Sequence, residues 1–299
     1  MIRIHPEVEE AIAAGGPVVA LETTLVAHGF PYPEGAVVAR ESERRVRAAG
    51  ALPATIGVVD GVLRVGLEDD ELERFAAAGA EARKLGPRDL AACMAQGALG
   101  ATTVGSTLAV CALAGIRFMA TGGLGGVHRG FPAPPDVSAD LGELARSPVL
   151  VVSSGVKSIL DVAATAEVLE TLGVPVLGWR TDELPLFYVA RGGPPVAARV
   201  ETADEAAGVA RIHWTQLRRT TAVLLGRPPT DSLDDVEPLI ADALADAERR
   251  GVTGQAITPH LLAYLHEHSG GRTAAANKEL VADNARLAGE VAMAYARAM

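Results

Sequence analysis

The chain has 299 residues, 49% of them apolar, which is enough for a large core in one enzyme-sized domain spanning residues 1–299. Its formal net charge of -10 argues against a nucleic-acid-binding surface, because a polyanion binds a concentrated basic face and the Lys and Arg residues here are scattered. No apolar run approaches the roughly 20 residues that span a bilayer, and the first residues lack the apolar segment of a signal peptide. We therefore expect a cytoplasmic protein that binds neither nucleic acid nor membrane.

Short apolar runs alternate along the chain with helical patterns. Strands are predicted at PVVALE, ATIGVV, IRFMATGG, PVLVVSS, VPVLGW and TAVLLG, and helices at EGAVVARESERRVRAAG, DDELERFAAAGA and KSILDVAATAEVLETLG. The segment from Ala54 to Leu67 predicts a hairpin that turns at Asp60-Gly61. From Ser232 onward the pattern is almost wholly helical. The sequence thus predicts an α/β fold, with a mostly parallel central sheet covered by helices (α/β/α) and a helical C-terminal region.

Cysteine usage excludes two kinds of site. Cys93 and Cys111 are the only cysteines, and both lie in helix-like surroundings. Two thiols are too few for a disulfide framework, and no cysteine and histidine spacing is typical of zinc. We expect both to be small buried hydrophobic side chains.

Glu22 is the first candidate for chemistry, because the pocket of an open α/β sheet lies beyond the carboxyl ends of its strands. It ends the run PVVALE and is followed by Thr23, Thr24 and His28. A half-buried carboxyl at such a position can have a raised pKa and act as a general acid or base. The alternative is that Glu22 caps a turn or pairs with a lysine.

Lys157 is the second candidate, since it follows the run PVLVVSS where the sequence predicts the start of a helix. In the field of a helix N-terminus a partly desolvated amine loses its proton more readily, which is what a Schiff-base lysine requires. The alternative is a solvated lysine on a helix surface. Lys84 also precedes a helical pattern, and by itself it is best explained as a surface residue.

Two stretches rich in glycine, TTVGST at 102–107 and TGGLGGVHRG at 121–130, stand before a helix and after a strand. Bare amides and hydroxyls at a helix start can cradle a phosphate, and His128 and Arg129 add positive donors. Neither a Walker motif nor a complete dinucleotide fingerprint is present. The alternative is that both stretches are turns.

An acidic cluster follows the proline-rich loop GFPAPP at 130–135. Ser138 fits the N-cap of the next helix. Asp136 and Asp140 are not explained by a cap, and their oxygens suit Mg²⁺ or Mn²⁺ with retained waters, or proton transfer near a substrate. Farther along, Asn277 and Asn284 share a face of the last helix, where a buried amide can hydrogen-bond a base or a phosphate.

These stretches together resemble the pseudouridine-5'-phosphate glycosidase family. The resemblance rests on LETTLVAHG, ARKLGPRDL, TTVGSTL, ATGGLGGVHRG, DVSADL, SSGVKSILD, LETLGVPVLGW and AANKELVADNARLAGEVA, which occur in the family's order from about Pro6 to the C-terminus. It implies an α/β/α homotrimer that uses Mn²⁺. It further implies reversible cleavage of the carbon–carbon glycosidic bond of pseudouridine 5'-phosphate, giving uracil and ribose 5-phosphate through a covalent lysine–ribose intermediate.

The resemblance also implies a role for each matching residue. Lys157 corresponds to the nucleophile, Glu22 to the proton donor and Asp136 to the metal ligand, and Asp140 is implied in proton transfer as well. The positions implied in substrate binding are Lys84, Val104, His128, Ser138, Ala139, Asp140 and Asn277. The loop GFPAPP departs from the family's pattern beside Asp136, where it affects the expected metal affinity without removing the ligand.

Two rival functions fit the local patterns. A Schiff-base aldolase also combines a phosphate site with one lysine, but it releases two carbonyl fragments and no free base. A non-catalytic sugar-phosphate sensor needs no lysine chemistry, and the sequence shows neither a helix-turn-helix nor a basic patch to support it.

Overall fold

The structure, a computed structural model, describes residues 1–129, 136–252 and 254–298. Within these ranges the strands are β1 (Ile2–Ile4), β2 (Val18–Glu22), β3 (Leu52–Val59), β4 (Val62–Val65), β5 (Arg83–Leu85), β6 (Gly100–Thr102), β7 (Phe118–Ala120), β8 (Val127–His128), β9 (Leu150–Ser153), β10 (Leu160–Asp161), β11 (Val176–Trp179), β12 (Ala198–Val200) and β13 (Val223–Gly226). The loop predicted at 130–135 lies outside the described residues.

The helices of the same ranges are α1 (Pro6–Ala13), α2 (Thr24–His28), α3 (Glu34–Ala48), α4 (Asp69–Ala78), α5 (Leu90–Ala95), α6 (Val104–Ala114), α7 (Ala139–Leu144), α8 (Val162–Thr171), α9 (Ala203–Arg211), α10 (Val236–Arg249), α11 (Ile257–His268) and α12 (Arg272–Arg297). None of these described helices has the length and apolar character needed to cross a membrane. The predicted helical C-terminal region is confirmed as α10, α11 and α12.

Eleven strands form one sheet in the order β1-β4-β3-β2-β7-β9-β13-β11-β12, with β5 and β6 attached beside β3. All neighbours from β3 to β12 in this order run parallel. The strands β8 and β10 form a separate antiparallel pair. The predicted mostly parallel sheet is therefore confirmed.

The central strands are apolar along their whole length because helices cover both faces of the sheet. In β2, Val18 and Ala20 belong to the same buried cluster as Leu108 of α6. Val19 and Leu21 point the other way, into the cluster that contains residues of α3, α9 and α12. This alternation of side chains confirms the predicted covering of the sheet by helices.

Two local predictions are also confirmed. The strands β3 and β4 are antiparallel, and the turn residues Asp60 and Gly61 both have positive φ, 51° and 75°, as a two-residue hairpin turn requires. Cys93 and Cys111 are free thiols in α5 and α6, and each is at most 1% exposed.

The helix predicted from Lys157 begins only at Val162, so the predicted start was wrong. Between the two residues, Leu160 and Asp161 form β10 and pair with β8. Asp161 then caps α8, because its carboxylate accepts a hydrogen bond from Ala164 N at 2.9 Å. Since the field of a helix terminus falls off within one turn, Lys157 lies in a loop outside the field of α8.

Candidate active site

The site lies where the carboxyl ends of three neighbouring strands meet at the centre of the sheet. The strands β2, β7 and β9 are adjacent and parallel. Glu22 ends β2, Thr121 directly follows β7, and Lys157 follows β9 after a short loop. Open α/β sheets bind ligands at this edge.

Glu22 is a buried carboxyl, with only 9% of the residue exposed. Thr121 Oγ1 donates a hydrogen bond to its Oε1, and Thr24 Oγ1 donates one to its Oε2. Burial raises the pKa of Glu22, and this effect outweighs the Lys157 charge and the two threonine hydrogen bonds, which lower it. The carboxyl therefore keeps its proton to a higher pH than an ordinary glutamic acid does, which suits a proton donor.

Lys157 is positioned by the backbone of its loop. Lys157 N donates a hydrogen bond to Leu124 O at 3.1 Å, and Leu124 N donates to Gly155 O at 3.0 Å. Gly155 has a φ of +79°, and a Cβ at this position would lie 1.8 Å from Pro185 O, so the loop requires glycine here. The half-buried Lys157 thereby places its charge close enough to Glu22 to lower the pKa of that carboxyl.

Lys84 lies in the same site and is half-buried on β5, so it is not the solvated surface residue that its local pattern indicates. Burial lowers the pKa of Lys84, and the charge of Lys157 lowers it further, whereas Asp140 and Glu22 raise it. The chain contains three lysines, and two of them line this cleft. Two amines and two carboxyls thus form one electrostatic cluster.

Asp140 joins the start of α6 to the glycine-rich loop after β7. Its Oδ1 accepts a hydrogen bond from Gly105 N at 2.7 Å, and its Oδ2 accepts one from Gly125 N at 2.9 Å. Ser138 is the N-cap of α7, as predicted, because its Oγ accepts a hydrogen bond from Asp140 N at 3.2 Å. A Cβ on Gly125 would lie 2.3 Å from Ser138 Oγ, so glycine permits this close approach. Ala139 follows as the exposed first residue of α7.

The phosphate cradle predicted at 102–107 stays a prediction, and the hydroxyls of this segment have hydrogen-bond partners within the protein. Thr103 caps α6 through a hydrogen bond from Ser106 N, and Ser106 Oγ donates to a backbone carbonyl at 2.6 Å. Arg129 forms an ion pair with a glutamate of α10. These groups are bonded within the protein, and the part of this segment that lines the cleft is Thr103 and Val104, at the start of α6.

Asp136 and His128 face each other in the cleft, with Nδ1 of the histidine 3.8 Å from Oδ2 of the aspartate. Burial lowers the pKa of His128 against the opposing effect of Asp136. Within residues 1–129, 136–252 and 254–298, no group of three or more His, Cys, Asp or Glu side chains is arranged to hold a metal ion. A divalent cation bound at Asp136 would take most of its ligands from water and substrate oxygens, as hard divalent cations commonly do.

Asn277 and Asn284 share the buried face of α12, as predicted, but they differ in their hydrogen bonds. Asn284 Nδ2 donates hydrogen bonds to Thr121 O at 2.9 Å and to Ser154 Oγ at 3.1 Å, so it ties together the ends of β7 and β9. Asn277 is 3% exposed, and its Oδ1 is buried with no hydrogen-bond partner among the described residues. Because buried polar atoms are normally paired, Asn277 is the amide of the two that is available to a ligand.

The cleft has two lobes, and the residues that line both of them are Glu22, Thr24, Lys84, Lys157 and Thr258. The polar lobe has a volume of about 500 Å³, and the predicted site residues that line it are Lys84, Val104, His128, Asp136, Ser138, Ala139 and Asp140. The more apolar lobe is lined by Leu25, Phe187, Pro259 and Leu262, together with His28 and Asn277. The structure thus brings all ten predicted site residues into one cleft, while their individual roles stay predictions.

Sequence reasoning missed three residues that shape this site. Thr24 and Thr121 bond to Glu22, and His28 lines the apolar lobe. Their positions in the sequence could have indicated a role in the site. Thr121 directly follows the run IRFMA, and Thr24 and His28 follow Glu22 within one short helix.

The fold and the cleft together define an α/β enzyme with a buried acid and a lysine at the carboxyl edge of its sheet. Residues 7–294 match the family model described as Indigoidine synthase A like protein. Proteins named pseudouridine-5'-phosphate glycosidase are similar over nearly their whole length. The one from Myxococcus xanthus is 46% identical, with 99% of each chain covered, and the one from Chloroflexus aurantiacus is 49% identical, with 98% of each covered. The chain belongs to the pseudouridine-5'-phosphate glycosidase family, as its sequence motifs predict.

Solved structures agree with this family membership. The prealnumycin C-glycosynthase in complex with ribulose 5-phosphate has a TM-score of 0.90 and 40% sequence identity, covering 100% of this chain and 98% of that one. An indigoidine synthase A-like protein from Thermotoga maritima has a TM-score of 0.88 and 36% identity, covering 98% of this chain and 96% of that one.

The hydrogen bonds to Glu22 predict a change in its titration. In Thr121→Val the donor to Oε1 is lost, and because that hydrogen bond lowers the pKa of Glu22, the pKa will rise further and the carboxyl will keep its proton to higher pH. NMR titration of ¹³C-labelled glutamate carboxyls measures this directly. Thr273→Val is the control, because Thr273 is buried but bonds Ser269 instead. An unchanged or lower pKa in Thr121→Val contradicts the account.

Proposed function

We propose that this chain reversibly cleaves the carbon–carbon glycosidic bond of pseudouridine 5'-phosphate to uracil and ribose 5-phosphate. The observation that carries the proposal is the meeting of Glu22 and Lys157 at the junction of a polar and an apolar lobe. The names of relatives that are 46% to 49% identical support the choice of substrate. Assembly as a homotrimer, which the family resemblance implies, belongs to the same proposal.

The two lobes match the two halves of this substrate. His128 lines the polar lobe, and Lys84 lies where the two lobes meet, so a cation and a hydrogen-bonding imidazole are available to a sugar phosphate there. Leu25, Phe187 and Leu262 line the other lobe, where apolar walls suit a flat base. With the phosphate and the base in separate lobes, the bond between sugar and base lies at the junction, and binding energy from the phosphate fixes the sugar there.

Glu22 and Lys157 suit the opening of the ribose ring. The protonated carboxyl of Glu22 donates its proton to the ring oxygen as the bond between that oxygen and the anomeric carbon breaks. Lys157, after its ammonium group has given a proton to Asp140 or to water, forms a bond to the anomeric carbon, and the former ring oxygen becomes a hydroxyl. After the lysine nitrogen loses a proton, the sugar is an open chain that carries both the lysine nitrogen and the base on one carbon.

The lysine nitrogen then makes cleavage of the carbon–carbon bond possible. Its lone pair forms the iminium as the bond to uracil breaks, the bonding electrons leave with the base, and the base carbon takes up a proton. Water hydrolyses the iminium to ribose 5-phosphate and the free amine. We include Asp140 in these proton transfers, since it lines the polar lobe beside Lys157. Paired carboxylates alone suit this bond poorly, because a carbon leaving group offers no lone pair to protonate.

Asp136 is the residue that would hold Mn²⁺. A bound divalent cation would supply positive charge for phosphate or water oxygens in the polar lobe. With Asp136 as the one described carboxylate assigned to the ion, the other coordination positions would go to water and substrate.

Replacement of Lys157 tests both the reaction and the nucleophile. Incubation with pseudouridine 5'-phosphate and Mn²⁺ will release uracil from the wild type, and Lys157→Ala will release it at least about 10³-fold more slowly, because the covalent route is lost. Chromatography of the free base gives the rate. Lys278→Ala is the matched control, since this third lysine lies on α12 and pairs with Glu34. If the wild type yields two carbonyl fragments and no uracil, the aldolase alternative replaces this proposal, and if it yields no product, the sensor does.

Replacement of Asp136 tests the metal site. Asp136→Asn is expected to weaken Mn²⁺ binding at least about tenfold, because the only carboxylate proposed as a ligand loses its charge. The electron paramagnetic resonance signal of free Mn²⁺ measures binding without turnover. Asp234→Asn, at an exposed aspartate ahead of α10, serves as the control. Equal Mn²⁺ affinity in wild type and Asp136→Asn contradicts the assignment.

A further inference from the structure

His28 has a fixed orientation at the apolar lobe. It is the last residue of α2, the short helix that begins two residues after Glu22. Its Nε2 lies 3.0 Å from Ala82 O. A carbonyl oxygen only accepts hydrogen bonds, so Nε2 carries the proton in this contact and the neutral ring has its lone pair on Nδ1.

His28 Nδ1 is a buried acceptor without a hydrogen-bond partner among the described residues. Burial lowers the pKa of His28, the hydrogen bond to Ala82 raises it, and the charge of Lys84 lowers it, with a net lowering that keeps the ring neutral. A buried acceptor that stays unpaired costs stability, and such groups persist where a ligand supplies the missing donor. His28 is one of the residues that line the apolar lobe, so a group bound there lies next to the residue whose Nδ1 lacks a donor.

A second residue of the same lobe also carries an unpaired acceptor. Asn277 Oδ1 is also buried and also lacks a partner among the described residues. Two acceptors in one apolar lobe match a flat ring that carries two N–H groups. Uracil bonded to ribose through carbon keeps both of its ring N–H groups, whereas uracil bonded through nitrogen keeps only one. The lobe is therefore complementary to a carbon-linked uracil.

We propose that His28 Nδ1 accepts a hydrogen bond from a ring N–H of the base, which makes His28 a specificity-determining residue for the carbon-linked nucleotide. This inference rests on the proposed function, because it takes the apolar lobe as the site of the base. It adds a residue that recognises the leaving base on the side away from the bond that breaks.

Two substitutions of His28 distinguish the role of Nδ1 as an acceptor from the role of Nε2 as a donor. His28→Gln retains an amide that can donate to Ala82 O in place of Nε2, but it has no acceptor at the position of Nδ1. His28→Asn has an oxygen near the position of Nδ1 and cannot reach as far as Nε2. His268→Gln is the control, because His268 is exposed on α11 and stacks on Tyr264.

The substrates for the test are pseudouridine 5'-phosphate and its two derivatives methylated at one or the other ring nitrogen. The wild type is expected to have a higher kcat/KM for the unmethylated substrate than for either derivative. For the derivative methylated at the nitrogen that His28 contacts, the ratio of these two kcat/KM values will fall about tenfold in His28→Gln, the value of one lost hydrogen bond. In the reverse reaction the KM for uracil will rise by a similar factor, while the KM for ribose 5-phosphate will not change. His28→Asn and His268→Gln will keep the wild-type ratio.

The outcomes distinguish this inference from the proposed function. If the wild type releases no uracil at all, the proposed function fails. If the wild type is active but His28→Gln keeps both methylation ratios, His28 does not contact the base. A rise in both KM values with unchanged ratios also overturns the inference, because it indicates a purely structural role for His28. Thermal unfolding of each variant confirms that it is folded before the ratios are compared.

Discussion

The burial of the Glu22 carboxyl beside the Lys157 amine is the constraint on which the rest of the site depends. A carboxylate taken out of water costs several kcal/mol unless it is paired and hydrogen-bonded, so the free energy favours its protonated form. Thr24 and Thr121 satisfy its oxygens, and the nearby cation limits how far the pKa rises. The result is an acid that holds its proton close to an amine, which is the pairing that ring opening and amine attack require.

Many features of the fold serve to keep these two groups in place. Parallel pairing of β2, β7 and β9 brings the three strand ends together. Asn284 bonds across the ends of β7 and β9 from α12. Gly125 and Gly155 allow backbone approaches that a Cβ would block, and Asp140 fixes the start of α6 against the glycine loop. Because these contacts come from distant parts of the chain, the site forms only when those parts have folded together.

The sheet, its covering helices and the position of Glu22 are predictable from sequence because each depends on local patterns. A run of four apolar residues at 18–21 predicts β2, and the carboxyl of Glu22 at its end predicts a residue at the ligand edge. Ser138 is predictable as an N-cap for the same reason, since the cap acts within its own turn.

Other features depend on contacts that the local pattern does not contain. The strands β5, β8 and β10 are only two or three residues long, too short to show alternation. The helix start predicted at Lys157 was wrong, because Asp161, four residues on, caps α8. The local pattern of Lys84 predicts a surface lysine, but the pairing of β5 with β6 places it near Asp140 and Glu22. The family resemblance supplied its site role, which local chemistry alone did not.

The central claim is that the Lys157 amine bonds to the sugar. Incubation of the protein with ribose 5-phosphate and borohydride, followed by peptide mass spectrometry, tests it most directly, because borohydride converts an iminium into a stable amine. The chain has three lysines, so the modified position is read without ambiguity. The account predicts a reduced ribose phosphate adduct on the peptide that contains Lys157 and none on the peptides of Lys84 or Lys278. An adduct on Lys84, or none at all from protein that releases uracil, would contradict it.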